Sequence, residues 1–579
     1  SINSLTAKIS GASADLTLNN FYRVDPADPT NATGGNLSIG TGNVTLAGGT
    51  LTLTLAANTP ASLLGSGSIN AGGGNIVISA ANGGVTLNSV AGQVTGNVLN
   101  VTAQNSSALN TNVSTLIANI TNNASTLTIN EANSLTAIGT NVATNNGDIS
   151  ITLATGSLTG TGNIVAGTGN VTLNASQGGI TLNTSTGQVS GNVLNVTAKN
   201  NTALNTNVST LVANITNNGS TLTINEANSL TAIGTNVATN NGDISINLAT
   251  GSLNGFGNIV AGTGNVALNA SQGGITLNTS TSQVSGNVLT VRAQNNTALN
   301  TNVSTLVANI TNNGSTLTIN EANSLTAIGT NVATNNGDIS INLATGSLNG
   351  AGNIVAGTGN VALNASGGAI TLNTSTSQVS GNVLNVRAQN NTALNTNVNT
   401  LVANITGSGS TLTINEANSL TAIGTNVATN NGDISINLAT GSLTGTGNIV
   451  AGTGNVTLNA SQGGITLNAA AGQISGNVLT VRAQNNTVLN TNVNTLLANI
   501  TGSGSTFTVN ELNGLDVPGN LTTSNGALTI NVASGNLNVS GVISAGTNGN
   551  VALNIGNDLN VTGQLSANVL TVVASSTTA

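Results

Sequence analysis

Cysteine, histidine, methionine and tryptophan are all missing from this 579-residue chain. Without cysteine there is no disulfide framework, no thiol nucleophile and no thiolate metal site. Without histidine the commonest general base and a usual zinc ligand are gone as well. Charged residues make up 3% of the chain, where globular chains carry about 25%. The six Lys and Arg are scattered and aromatics are 1%, so there is no basic patch with interleaved rings and no nucleic-acid partner is expected. No apolar run approaches the ~20 residues of a membrane-spanning helix.

What is present is a repeat. The stretch STLTINEANSLTAIGTNVATNNG from Ser220 returns nearly unchanged from Ser125, Ser315 and Ser410, and in drifted form from Ser505. Its marker glutamates are Glu131, Glu226, Glu321, Glu416 and Glu511, a constant step of 95 residues. A fixed period marks an array whose units bury their apolar faces only against their neighbours.

From Ser125 each module divides into units of 23, 22, 22 and 28 residues, ending at Gly147, Gly169, Gly191 and Gly219. Each unit opens with alternating apolar residues, such as Leu127 and Ile129, or Ile149, Ile151 and Leu153. Period-two alternation predicts half-buried strands. The steps Gly147-Asp148, Gly169-Asn170 and Gly191-Asn192 predict corners, because Gly accepts positive φ and Asn or Asp tolerates it. The expected fold class is all-β: a single-stranded parallel β-helix running through residues 1–579, each 95-residue module making four coils. At ~4.8 Å per coil a module rises roughly 19 Å. The core is narrow, with little room for Phe, and stacked Asn and Thr are expected to form ladders.

Residues 21–35 (FYRVDPADPTNATGG) break the pattern with two of the four Pro and the only Tyr, which predicts an exposed loop insertion. Phe21, Tyr22 and Arg23 are residue types enriched at interfaces, so this loop is expected to touch a neighbouring subunit. Residues 36–49 read as an extra strand pair before the regular units resume.

Repeats such as GNVTLNASQGGITLNTSTGQVSGNVLNVTA resemble those of filamentous-haemagglutinin-like exoproteins, bacterial surface β-solenoids. The resemblance implies a right-handed β-helix, secretion and a place on the cell surface, in adhesion or biofilm. The Asn-Pro-Asn-Gly motif of that family's secretion domain does not occur in the chain. The chain opens on Ser rather than Met, so a leader has been removed or the sequence is a fragment.

No catalytic or metal constellation emerges, and no enzyme activity or cofactor is expected. Polysaccharide-cleaving sites need clustered carboxylates, whereas the glutamates stand a module apart. Asp25 and Asp28 are too few for a calcium loop and read as solvated. Each repeated glutamate follows two inward apolar residues, so its parity points to the core. A buried carboxylate is costly unless hydrogen-bonded, and a corner rich in backbone N–H is the expected setting. Arg292, Arg387 and Arg482 share an outward position and are read as solubility or lateral-contact charges.

The termini fit the repeat. Residues 4–19 (SLTAKISGASADLTLN) align with 210–225 (TLVANITNNGSTLTIN), and 568–579 (NVLTVVASSTTA) align with 192–203 (NVLNVTAKNNTA). Ala579 thus stands at the phase of Ala203 and Ser1 at the phase of Asn207. The expected function is a secreted structural subunit that polymerises head to tail. Val569, Leu570 and Val572 of one copy would meet Ile2, Leu5, Ile9, Leu16 and Leu18 of the next, and fibres would bundle laterally. The partner is the chain itself, and the location extracellular or at the cell surface. The second reading is a shaft segment of a large cell-surface adhesin.

Overall fold

The computed structural model describes residues 4–9, 14–19, 23–25, 28–33, 36–55, 60–186, 188–281, 283–376, 378–470 and 472–578. The chain divides into two compact units, Ser1–Ala293 and Gln294–Ala579. Each is a parallel β-solenoid with no helix among the described residues. The turns number about 24 in all.

Alternation decides which side of each strand is buried. In Leu127–Glu131 and Ile149–Leu153 the apolar residues face inward and Thr128, Asn130, Ser150 and Thr152 face outward. Successive turns then stack like on like. Leu127 lies against Ile149, Ile149 against Val171, Val171 against Leu194, and Leu194 against Leu211. All five are fully buried, and each such aliphatic side chain stabilises the fold by roughly 1.5–3 kcal/mol relative to exposure.

A turn has three faces. Ile149–Leu153, Leu158–Thr159 and Asn163–Val165 follow one another before Val171 returns above Ile149. They continue as three columns, with Leu158 against Ile180 and Ile164 against Val189. Turns and sequence units do not coincide. Four turns take steps of 22, 22, 23 and 17 residues and carry Leu127 to Leu211, eleven residues short of its homologue Leu222. Those eleven residues carry the chain onto the next face, where Leu222 lies against Thr202 in the column of Leu158 and Ile180. A module therefore makes four and one-third turns, and its 28-residue unit is not a single turn. In the second unit Leu317, Leu412 and Phe507 head three different columns.

The corners differ in detail from expectation. Gly147, Gly169 and Gly191 do not have positive φ; Asn146 (φ 63°) and Gly167 (φ 61°) do. The glycines are required by stacking. A Cβ on Gly147 would lie 1.9 Å from the Ser125 carbonyl oxygen, and one on Gly169 would lie 2.4 Å from that of Gly147. The core also admits one ring: Phe507 is fully buried in place of the usual Leu, while Phe256 stands 81% exposed.

The described part of the insertion is an antiparallel strand pair. Arg23–Asp25 pairs antiparallel with Asp28–Thr33, apart from the main sheet. Phe21, Tyr22 and residues 26, 27, 34 and 35 lie outside the described residues. The expected extra strand pair at 36–49 is one ten-residue strand, Leu37–Leu46. It crosses two faces, and its inward halves end at Ile39 and begin again at Val44.

Stacking gives a direct check. Gly147→Ala should destabilise the solenoid by about 1–3 kcal/mol through overpacking. Gly73→Ala, where an added Cβ meets nothing within 4 Å, should be neutral. Urea denaturation midpoints of the two variants measure the difference.

Candidate functional site

The repeated glutamate is a clasp between turns. Glu131 ends the strand Leu127–Glu131 with inward parity and is 1% exposed. Its Oε2 accepts from the Thr111 hydroxyl (2.7 Å) and the Val113 amide (3.1 Å), both one turn earlier. Its Oε1 accepts from the Asn133 amide at 3.2 Å, just past the corner. The set recurs at Glu226 with Thr206, Val208 and Asn228, and at the other three copies. Burial raises each carboxyl above the usual glutamate range, against the lowering effect of the Thr hydroxyl and backbone donors. The chemistry open to such a group is to hold two turns and a corner together.

A second clasp escaped the sequence reading. Gln93, Gln188, Gln283, Gln378 and Gln473 are completely buried. Gln188 Nε2 donates to the carbonyls of Gly160 (2.9 Å) and Gly162 (2.8 Å) on the previous turn. Its Oε1 accepts from the Thr184 amide at 2.9 Å. The signal was present in the 95-residue spacing of these glutamines, which matches that of the glutamates.

Outside, asparagines form ladders. Asn205 Nδ2 donates to the Ser185 carbonyl (3.0 Å), Asn225 to Asn205 (2.9 Å), and Asn247 to Asn225 (3.0 Å). A shallow groove of about 390 Å³ follows this column, and one of about 480 Å³ follows Asn395, Asn415 and Asn437. The ladders stop where the next turn changes residue. Asn364 and Asn459 lie beneath Arg387 and Arg482, and their buried Oδ1 atoms accept no hydrogen bond among the described residues. Both arginines are exposed and sit in different columns, so in this unit they form no row along one face. Among the described residues no group of three His, Cys, Asp or Glu gathers as a metal site. Among the same residues no helix is long and apolar enough to cross a membrane.

The remaining candidates are the two edges. Ser4–Ile9 pairs with Leu37–Leu46, and Leu16–Asn19 with Thr50–Leu55; no described strand covers their other sides. Ile9, Leu16 and Leu18 are only half-buried, whereas their counterparts Ile215, Leu222 and Ile224 are buried. At the other edge Gln564–Ser566, Leu570–Val573 and Ser576–Thr578 each pair on one side alone among the described residues. Val569, Leu570 and Val572 are 51%, 46% and 36% exposed, while Leu194 and Val196, the counterparts of the last two, are 0% and 2%. For Leu5 and Arg23 only the backbone is described, and Ile2 lies outside the described residues.

No protein-family model matches the chain, and neither a curated protein nor a solved structure matches it. The likeness to filamentous-haemagglutinin-like proteins accordingly extends to the β-solenoid fold and no further.

The clasp predicts a pH dependence. The folded carboxyl binds a proton more readily than the unfolded one, so this contribution is fully present below the ordinary glutamate value. It is lost as pH rises through the raised folded value. Urea midpoints should therefore fall between pH 4.5 and pH 8, and Glu226→Gln should flatten that slope. The substitution should also cost about 1–3 kcal/mol, because the amide keeps one acceptor oxygen and its NH2 must face either the Thr206 and Val208 donors or the Asn228 amide.

Proposed function

We propose that the protein is a secreted structural subunit that stacks end to end with copies of itself into an extracellular filament. The observation that carries this reading is the uncovered apolar edge at 569–573, where exposed Leu570 and Val572 stand at positions that the interior buries as Leu194 and Val196. An open edge of unpaired N–H and C=O groups beside exposed Val and Leu recruits another strand unless it is blocked. No charge, Pro or bulge blocks it at Leu570–Val573. Head-to-tail contact between unlike surfaces does not close and gives filaments.

Composition supports an extracellular setting, since six Lys and Arg in 579 residues offer trypsin-like proteases few sites. Phe21, Tyr22 and Arg23 of the insertion are assigned to contacts with a neighbouring subunit or a lateral filament.

Electron microscopy of the native material tests the proposal. About 24 turns at ~4.8 Å give an axial repeat of roughly 120 Å. Deleting residues 1–10 should leave folded, unpolymerised protein. Filaments of unchanged repeat from the truncated chain would overturn the end-to-end reading. So would continuation of the 569–573 edge by further solenoid of the same polypeptide, and the shaft of a large adhesin would take its place.

A further inference from the structure

The chain contains finished copies of the joint that two molecules would have to make. Leu194–Ala198 pairs in parallel with Leu211–Ile215, with Leu194 against Leu211, Val196 against Ala213 and Ala198 against Ile215. Leu384–Ala388 against Leu401–Ile405, and Leu479–Ala483 against Leu496–Ile500, repeat the register in the second unit. By sequence the first partner corresponds to residues 570–574 and the second to residues 5–9.

Each edge already holds its half of this arrangement. Leu570 lies against Val551 of VALN, as Leu194 lies against Val171 of VTLN. At the other edge the pairing of Ser4–Ile9 with the turn beyond it slips between Leu5 and Ala7. The pairing of the strand Thr202–Ile215 slips at the matching step, between Leu211 and Ala213. The outward pairings of the two edge strands thus follow those of the interior joint at Leu570 and at Leu5.

Resting on the end-to-end reading, we infer that the joint adopts this interior register. Leu570 of one copy lies against Leu5 of the next, Val572 against Ala7, Ala574 against Ile9, and Thr578 against Leu16. Leu570 and Val572 then become covered as Leu194 and Val196 are.

The absence of cysteine makes the test clean. Thr571 and Thr6 correspond to Asn195 and Val212, which face each other in register and are half-buried. Adjacent turns ~4.8 Å apart suit a disulfide, which takes Cα separations of about 4.4–6.8 Å. The full chain carrying T6C and T571C, oxidised under filament-forming conditions, should give a ladder of covalent multimers on a non-reducing denaturing gel. Yield should rise with protein concentration and exceed by at least tenfold that of the offset pair K8C and T571C and of either single variant. Equal or better linking by the offset pair overturns the register while leaving end-to-end assembly in place. So does filament formation by all variants with no linking by either pair. A chain that forms no filaments and no ladder overturns both this joint and the assembly it rests on.

Discussion

The structure depends on one constraint: each turn hydrogen-bonds through its backbone to the turns on either side, at the spacing of strands in a sheet. A residue's neighbours are therefore those about one turn away, not those beside it in the chain. Whatever fills a position must tolerate its counterpart directly above and below. Aliphatic residues stack on aliphatic residues, asparagines on asparagines, and glycines on glycines where carbonyls crowd a corner. The near absence of charge follows from the same condition, because like charges on adjacent turns face each other and repel.

The buried polar groups obey it too. Glu226 and Gln188 both reach the previous turn, where one accepts hydrogen bonds and the other donates them. A triangular turn must bend at its corners, where backbone groups leave the ladder and need other partners. The glutamates and glutamines sit where that need arises. Their period follows the module, because the corners they serve recur with the module rather than with the turn.

Much of the fold was legible because strand alternation is a local signal: Leu127, Ile129, Ile149 and Ile151 announce their own burial. The parity that placed Leu127 and Ile129 inside also placed Glu131 inside. The number of turns per module was not legible. A glycine-ended unit looks like a closed turn, and only the pairing of Leu194 with Leu211 reveals a 17-residue step. Gln188 was overlooked because an amide carries no charge to flag its burial. The role of Gly147 was misassigned because a permissive backbone and a missing side chain look alike in sequence, and only Ser125 on the previous turn tells them apart.

The third of a turn left over in every module has a geometric result. Each module is turned by one face relative to the last, so any exterior feature repeated at 95 residues advances along a screw. In the second unit Leu317, Leu412 and Phe507 point their modules in three directions. Arg387 and Arg482 likewise look out at different azimuths. Thirteen turns, three modules of four and one-third, would pass before the same azimuth recurred. Within one unit a surface patterned this way has no dorsal or ventral side. Identical chemistry is offered around its whole circumference, and a neighbour approaching from any side meets the same surface at a different height.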